Sequence, residues 1–260
     1  MERQNKLRKT LREGRVAIGT CADTFSPAIA EVAGYVGLDF IRIDTEYSWR
    51  RDESLENTIR GCEIGGTSAL VRVEKGQPYL ISKALQAGAS AILVCDVTSY
   101  EEARDIVRAA RFAPKGVRGY NTFTPAGKWG LDGGKSWVDW CDSELMVGIM
   151  VENQEVVEDL DKICAIDGLD YCLFGPSDFS MSLGYREPRK NDPKVQDAMK
   201  RTCEIAARHN KWVSIPLGEP FAQEAKHYID MGFRMIELGH DVAILASAWK
   251  KAIAEINGKK

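Results

Sequence analysis

Five places in this 260-residue chain put chemically capable side chains at the ends of short apolar runs. They are Asp44-Thr45-Glu46-Tyr47, Arg72 between Val71 and Val73, Glu152-Asn153, Gly175-Pro176-Ser177-Asp178, and Glu237-Leu238-Gly239-His240-Asp241. Glu152 and Asp178 are the sharpest pair. Each follows a run whose burial makes an unpaired carboxylate costly, and two neighbouring carboxylates repel until a cation relieves them. Two oxygen ligands with open positions suit Mg²⁺ or Mn²⁺ better than zinc. The plainer alternative has Glu152 capping the next helix and Asp178 closing a turn.

Arg72 is flanked by apolar residues, so its guanidinium either faces a site or pairs internally with Asp44 or Glu46. Its planar fork can hold a substrate carboxylate through two parallel hydrogen bonds, which lysine cannot copy. Of the three histidines, His209 and His227 fall in charged helical patterns and read as surface residues. His240 alone ends a strand-like run, where a helix-start or supporting role competes with catalysis. The Gly175–Asp178 turn offers backbone N–H groups to an oxyanion.

The elements that must position these residues alternate regularly. Strand-like runs are expected at Val16–Cys21, Leu38–Asp44, Ser68–Val73, Ala91–Cys95, Leu145–Val151, Leu169–Phe174, Trp212–Ile215 and Phe233–Leu238. Helical patterns lie between them, and Gly37, Gly66, Gly88, Gly168 and Gly232 stand where helices close before the next strand. Near-continuous apolar runs indicate parallel strands buried on both faces. Eight strand–helix units match an α/β fold of the closed (β/α)8 barrel type, with an open doubly wound sheet as the alternative. The absence of Gly-x-Gly-x-x-Gly after the first run weakens a dinucleotide-binding version of that sheet. A short amphipathic helix over Arg3–Glu13 is expected to cover the barrel floor. Two long connections, Pro114–Ser143 and Gly175–Pro193, read as leaving the C-terminal ends of strands four and six, with tryptophans favouring order in the first.

Composition narrows the class further. The chain is 44% hydrophobic and 28% charged, with net charge −3, which excludes disorder and any global basic field for nucleic acid or an anionic membrane. No apolar run approaches the roughly 18–20 residues of a membrane span, and the N-terminus lacks the apolar core of a signal peptide. The seven cysteines form no CxxC pair and read as buried thiols of a cytoplasmic protein. Residues 1–260 are expected to form one barrel domain.

Together these stretches resemble the HpcH/HpaI family of metal-dependent (class II) pyruvate aldolases. The likeness runs from about Gly14 to Ile256 and is carried by Leu38–Glu46, Ser68–Val73, Phe112–Gly119, Val151–Glu155 and above all Phe174–Tyr185 (FGPSDFSMSLGY). It implies a phosphoenolpyruvate/pyruvate-type barrel that cleaves a 4-hydroxy-2-oxo acid to pyruvate and an aldehyde. By the resemblance, Glu152 and Asp178 are ligands of a divalent metal (Mg²⁺ or Mn²⁺, with Co²⁺ a further candidate). Arg72 then contacts the oxo acid and steadies the enolate oxygen. Pro176 and Ser177 clamp the pyruvate carboxylate, and Asp44 and Glu46 stand behind them as supporting acids. The resemblance also implies a homo-hexamer that exchanges its last helix.

The family pattern breaks at Tyr47, where a catalytic histidine is expected, and at Gln86, where that histidine's aspartate partner aligns. Met150 replaces an expected glutamine. Base catalysis, typically worth about 10²–10⁴-fold, therefore lacks its usual residue. A water on the metal, Tyr47 and His240 are the replacements, in that order. Oxaloacetate-type decarboxylation, which reaches the same enolate without a base, is the alternative activity, as is a related C–C lyase reaction. A non-catalytic oxo-acid binder is a third reading.

Overall fold

Eight parallel strands close into a barrel in a computed structural model whose described residues are 5–47, 52–219 and 221–258. In chain order the elements are α1 (Lys6–Arg12), β1 (Ala17–Ala22), α2 (Pro27–Tyr35), β2 (Phe40–Asp44), α3 (Glu53–Gly65), β3 (Ser68–Val73), α4 (Pro78–Ala87), β4 (Ala91–Val94) and α5 (Tyr100–Ala110). A short 3₁₀ segment (Pro125–Gly130) and α6 (Gly134–Glu144) precede β5 (Met146–Val151), α7 (Gln154–Cys164), β6 (Tyr171–Phe174) and α8 (Pro176–Ser182). Then come α9 (Pro193–Arg208), β7 (Trp212–Pro216), α10 (Phe221–Met231), β8 (Met235–His240) and α11 (Asp241–Ile256). Each strand pairs with its sequence neighbour and β1 pairs with β8, which rules out the open sheet.

Strand alternation sends one set of residues outward to the helices and the other into the barrel. The inward set packs Ala17, Phe40, Leu70, Ala91, Met146, Tyr171 and Met235 over Leu7 and Leu11 of α1, so the barrel is filled from the bottom. Tyr171 fits because Gly148 lies opposite its ring; a Cβ there would come within 2.3 Å of the ring carbons. Higher up the same inward positions turn charged: Arg42, Asp44, Arg72 and Glu237, all buried. All seven cysteines are buried and free. Among the described residues no helix is long and apolar enough to cross a membrane.

Helix α1 begins at Lys6 with Asn5 as its cap, so Arg3 and Gln4 of the expected helix lie outside the described residues. The five helix-end glycines all have positive φ, from 73° to 123°. The segment 114–143 corrects the expectation made for it. It leaves α5, not β4, and so starts at the N-terminal end of the barrel, because each strand–helix unit reverses direction. Its 3₁₀ part packs on α4. The order its tryptophans suggested is present: Trp137 is buried against Phe112 and Tyr120, with ring centroids 5.2 and 5.4 Å away. The segment 175–193 does leave a strand at its C-terminal end, where the chain turns at once into α8.

Candidate active site

The strand ends converge on one mouth. Asp44 ends β2 and lies in register with Arg72 on β3. The Arg72 guanidinium donates through Nε (3.1 Å) and Nη2 to the two Asp44 carboxylate oxygens, and Nη1 is 2.9 Å from Glu46. The two readings of Arg72 therefore merge: it is internally paired, yet it stands at the C-terminal end of the barrel among the site residues. Thr45 ties the two strand ends together, its hydroxyl donating to the Arg72 carbonyl at 2.6 Å. Tyr47 lies over the guanidinium, 5.1 Å from its ring centroid. Met150, the position where a glutamine was expected, receives a weak hydrogen bond from Arg72 Nη1 on its sulfur at 3.6 Å. Below them Arg42 donates through Nε to both oxygens of Glu237, at 3.1 and 2.9 Å, and sits 3.6 Å from Asp44.

Glu152 follows β5 and is 8% exposed. It does not cap α7; Asn153 does, accepting from the Val156 N–H at 2.9 Å. Instead Glu152 Oε2 accepts from the N–H of Asp96 at 3.0 Å, and Asp96, just beyond β4, has φ of 54°. Aspartate tolerates that left-handed conformation better than most residues. Gly175 closes the site from β6, where a Cβ would approach Glu152 Cγ to 3.0 Å. Asp178 stands exposed in the first turn of α8 and makes no cap.

The electrostatics are unbalanced toward the negative. Burial pushes the Glu152 carboxyl up to about 7, opposed by the Asp96 N–H and reinforced by the charges of Asp178, Glu46 and Asp96. Burial likewise raises Glu46, against the pull of Arg72. The Tyr47 phenol is pushed up to about 12 by partial burial and by Glu46 and Asp178, although its side chain is largely exposed. A phenol so raised is a hydrogen-bond donor at neutral pH, not a base. Hard oxygen donors crowded together with one nearby guanidinium are a donor set for a divalent cation. Glu46, Cys95 and Asp96 also hold ligand-capable atoms within 4.8 Å of one another.

The candidate site residues fall at the C-terminal end of the barrel, whereas Gln86 lies in the last turn of α4 on a groove lined also by Thr45 and Tyr79. His209 and His227 sit on outer helices as expected. Asp96, Cys95 and Asp23 were missed. The signal was present, since each closes or directly follows an apolar run at the ends of β4 and β1.

A closed (β/α)8 barrel with arginine and carboxylates gathered at its C-terminal mouth has the layout of a barrel enzyme. The chain belongs to the HpcH/HpaI aldolase/citrate lyase family, whose model matches residues 18–248. It is 28% identical over 255 residues to a hydroxypyruvate/pyruvate aldolase of Cupriavidus necator, covering 98% of this chain and 93% of that one. Among solved structures, an HpcH/HpaI aldolase/citrate lyase family protein from Burkholderia cenocepacia superposes with a TM-score of 0.90 at 26% identity, covering 98% of this chain and all of the other. The citrate synthase SbnG superposes with a TM-score of 0.87 at 27% identity, covering 98% of each chain.

Proposed function

We propose that this protein is a metal-dependent carbon–carbon lyase, a class II aldolase that interconverts a 4-hydroxy-2-oxo acid with pyruvate and an aldehyde. The observation that carries this reading is the pairing, in one mouth, of a buried arginine fork with an acid cluster left short of positive charge. Glu152 and Asp178 are the residues to hold the divalent cation, which when bound polarises the 2-oxo group as a Lewis acid. Arg72, locked by Asp44 and Glu46, presents a fixed positive charge to the developing enolate oxygen and needs no reorganisation as the C–C bond breaks. Pro176 has no N–H of its own, and the N–H groups of Ser177 and Asp178 lack partners within α8, as first-turn groups do; they suit a substrate carboxylate. Tyr47 covers Arg72 and offers its phenol O–H to a substrate oxygen.

A second reading is oxaloacetate-type decarboxylation, favoured by the raised Tyr47 phenol, because loss of CO₂ reaches the enolate without a base. The test is pyruvate release from a 4-hydroxy-2-oxo acid and from oxaloacetate, with Mn²⁺ or Mg²⁺ and with EDTA. Metal-dependent cleavage of the hydroxy-oxo acid is the expected result; turnover of oxaloacetate alone replaces the aldolase by the decarboxylase.

We further propose a homo-oligomer, a hexamer by the family resemblance, in which α11 crosses to a second copy. Support comes from the helix itself: Val242, Leu245, Trp249, Ile253 and Ile256 form an exposed stripe, and only Asp241 of α11 is buried. Ile18, on the outer face of β1, is left 42% exposed where a helix normally covers a barrel strand. Light scattering should report the assembly, and Trp249→Glu should shrink it.

A further inference from the structure

The acid–base residue that the strand-two end lacks has a counterpart across β1 and β8. His240, the one histidine at the barrel mouth, places Nδ1 2.7 Å from Asp23 Oδ2. A carboxylate only accepts, so Nδ1 carries a proton, and in the neutral imidazole Nε2 keeps its lone pair. The pair is built, not incidental. In simple alternation from the inward-facing Glu237, Gly239 would face inward and His240 outward. The β1–β8 register slips by one residue between Gly19↔Glu237 and Cys21↔His240, and Gly239 takes φ of +82° at that bulge. Bulges of this kind re-aim a side chain beside active sites. Thr20 holds the bulge through a 2.9 Å hydrogen bond to the Gly239 carbonyl.

Asp23 is fixed from several sides. Its N–H donates to buried Asp241 at 3.0 Å, and Asp241 also takes the Thr24 hydroxyl. The Cys21 thiol, kept protonated by burial, donates to Asp23 Oδ1 at 3.7 Å. The other charged groups around the imidazole are Arg42 and Asp44 of β2, reached from inside the barrel. Continued one residue beyond Ala22↔Ile43, the β1–β2 register sets Asp23 beside Asp44, which is itself paired with Arg72. At about 4.8 Å per strand step, Asp23 stands about 10 Å from Arg72 around the same mouth, and His240, one strand further on β8, about 14 Å. Two side chains and a short oxo acid span that distance.

We propose that His240 is the acid–base residue for the aldehyde end of the substrate and that Asp23 positions it, an inference that rests on the aldolase reading above. In cleavage, His240 Nε2 takes the proton of the C4 hydroxyl. The O–H electron pair becomes the aldehyde C=O, and the C3–C4 pair moves through C3 to the C2 oxygen as pyruvate enolate. The proton returns through solvent to C3, giving pyruvate. Condensation runs the same steps backward.

The test uses the full metal-loaded chain in two assays: condensation of pyruvate with glyoxylate, glycolaldehyde or glyceraldehyde, and decarboxylation of oxaloacetate, which needs no base. His240→Asn should lower condensation by about 10²-fold or more while decarboxylation stays within about threefold. Asp23→Asn should lower condensation too and shift its acidic limb to lower pH, because the carboxylate raises the imidazole. Imidazole NMR of the three histidines, assigned with His240→Asn, should show the same downward shift without any turnover. Unchanged condensation in His240→Asn overturns the dyad and leaves the aldolase standing. Equal loss of both activities overturns it as well, since that marks a structural role. A wild type that decarboxylates but condenses no aldehyde overturns the aldolase reading and the dyad's role with it.

Discussion

The floor and the mouth of this barrel both bury charge, but they balance it in opposite ways. At the floor, Arg8 and Arg111 share Asp170, at 2.6 and 3.3 Å. Further N–H groups of the two go to the carbonyls of Glu144, Leu145, Cys141 and Gly168. Asn5 adds bonds to the carbonyls of Ser90 and Glu144, so α1 is sewn to the strand starts. In that network two guanidinium groups share one acid, and neutral backbone acceptors absorb the difference. At the mouth, acids outnumber cations; burial raises the proton affinity of Glu152, and the charges of Asp178, Glu46 and Asp96 raise it further. A buried network completed by backbone acceptors holds a structure together. One left incomplete is poised for a ligand of the missing sign.

Four experiments probe that contrast. The largest effect is expected from Glu152→Gln, which should cut metal-dependent turnover by about 10³-fold or more; calorimetric Mn²⁺ affinity equal to wild type would remove Glu152 as a ligand. Arg72→Lys should lower kcat by about 10²–10³-fold with an unchanged circular dichroism spectrum, because an ammonium cannot replace the planar fork. Asp170→Ala should do the reverse. It leaves two buried guanidinium groups short of their acid and should cost about 3 kcal/mol of stability by urea unfolding, with kcat retained in the folded fraction.

The smallest effect concerns pH. A carboxyl raised to about 7 binds its proton more tightly folded than unfolded, so its contribution to stability is complete below its ordinary value of 4.5 and is lost as pH rises through 7. Metal-free protein should therefore lose a few degrees of melting temperature between about pH 5 and pH 8 relative to Glu152→Gln. Parallel melting profiles for the two proteins would show that Glu152 gains no proton affinity on folding.

Much of the fold was legible in the sequence because barrel strands announce themselves locally. Ala91–Val94 is wholly apolar and Ser68–Val73 largely so, and Gly66 and Gly88 sit at the helix ends before them. The same local logic placed Arg72, Glu152 and Asp178, since a polar residue that ends such a run is carried to the C-terminal rim. What stayed hidden was long in range. Asp23 and His240 are separated by 217 positions, and no periodicity reports their contact. The segment 114–143 reads as leaving a strand because its composition resembles that of a functional loop, whereas the end of the barrel at which it starts depends on which element it follows.

By itself the sequence determined the order and kind of the elements, the family, and the charged residues at the strand ends, because burial, alternation and turn chemistry act over a few residues. Only the tertiary structure decided that the sheet closes, that Arg72 spends its fork on Asp44 and Glu46, that Asn153 frees Glu152 from capping, and that a bulge at Gly239 turns His240 to Asp23. Those outcomes depend on the register between strands. Register is set by the packing of the whole barrel, which no single stretch of sequence contains.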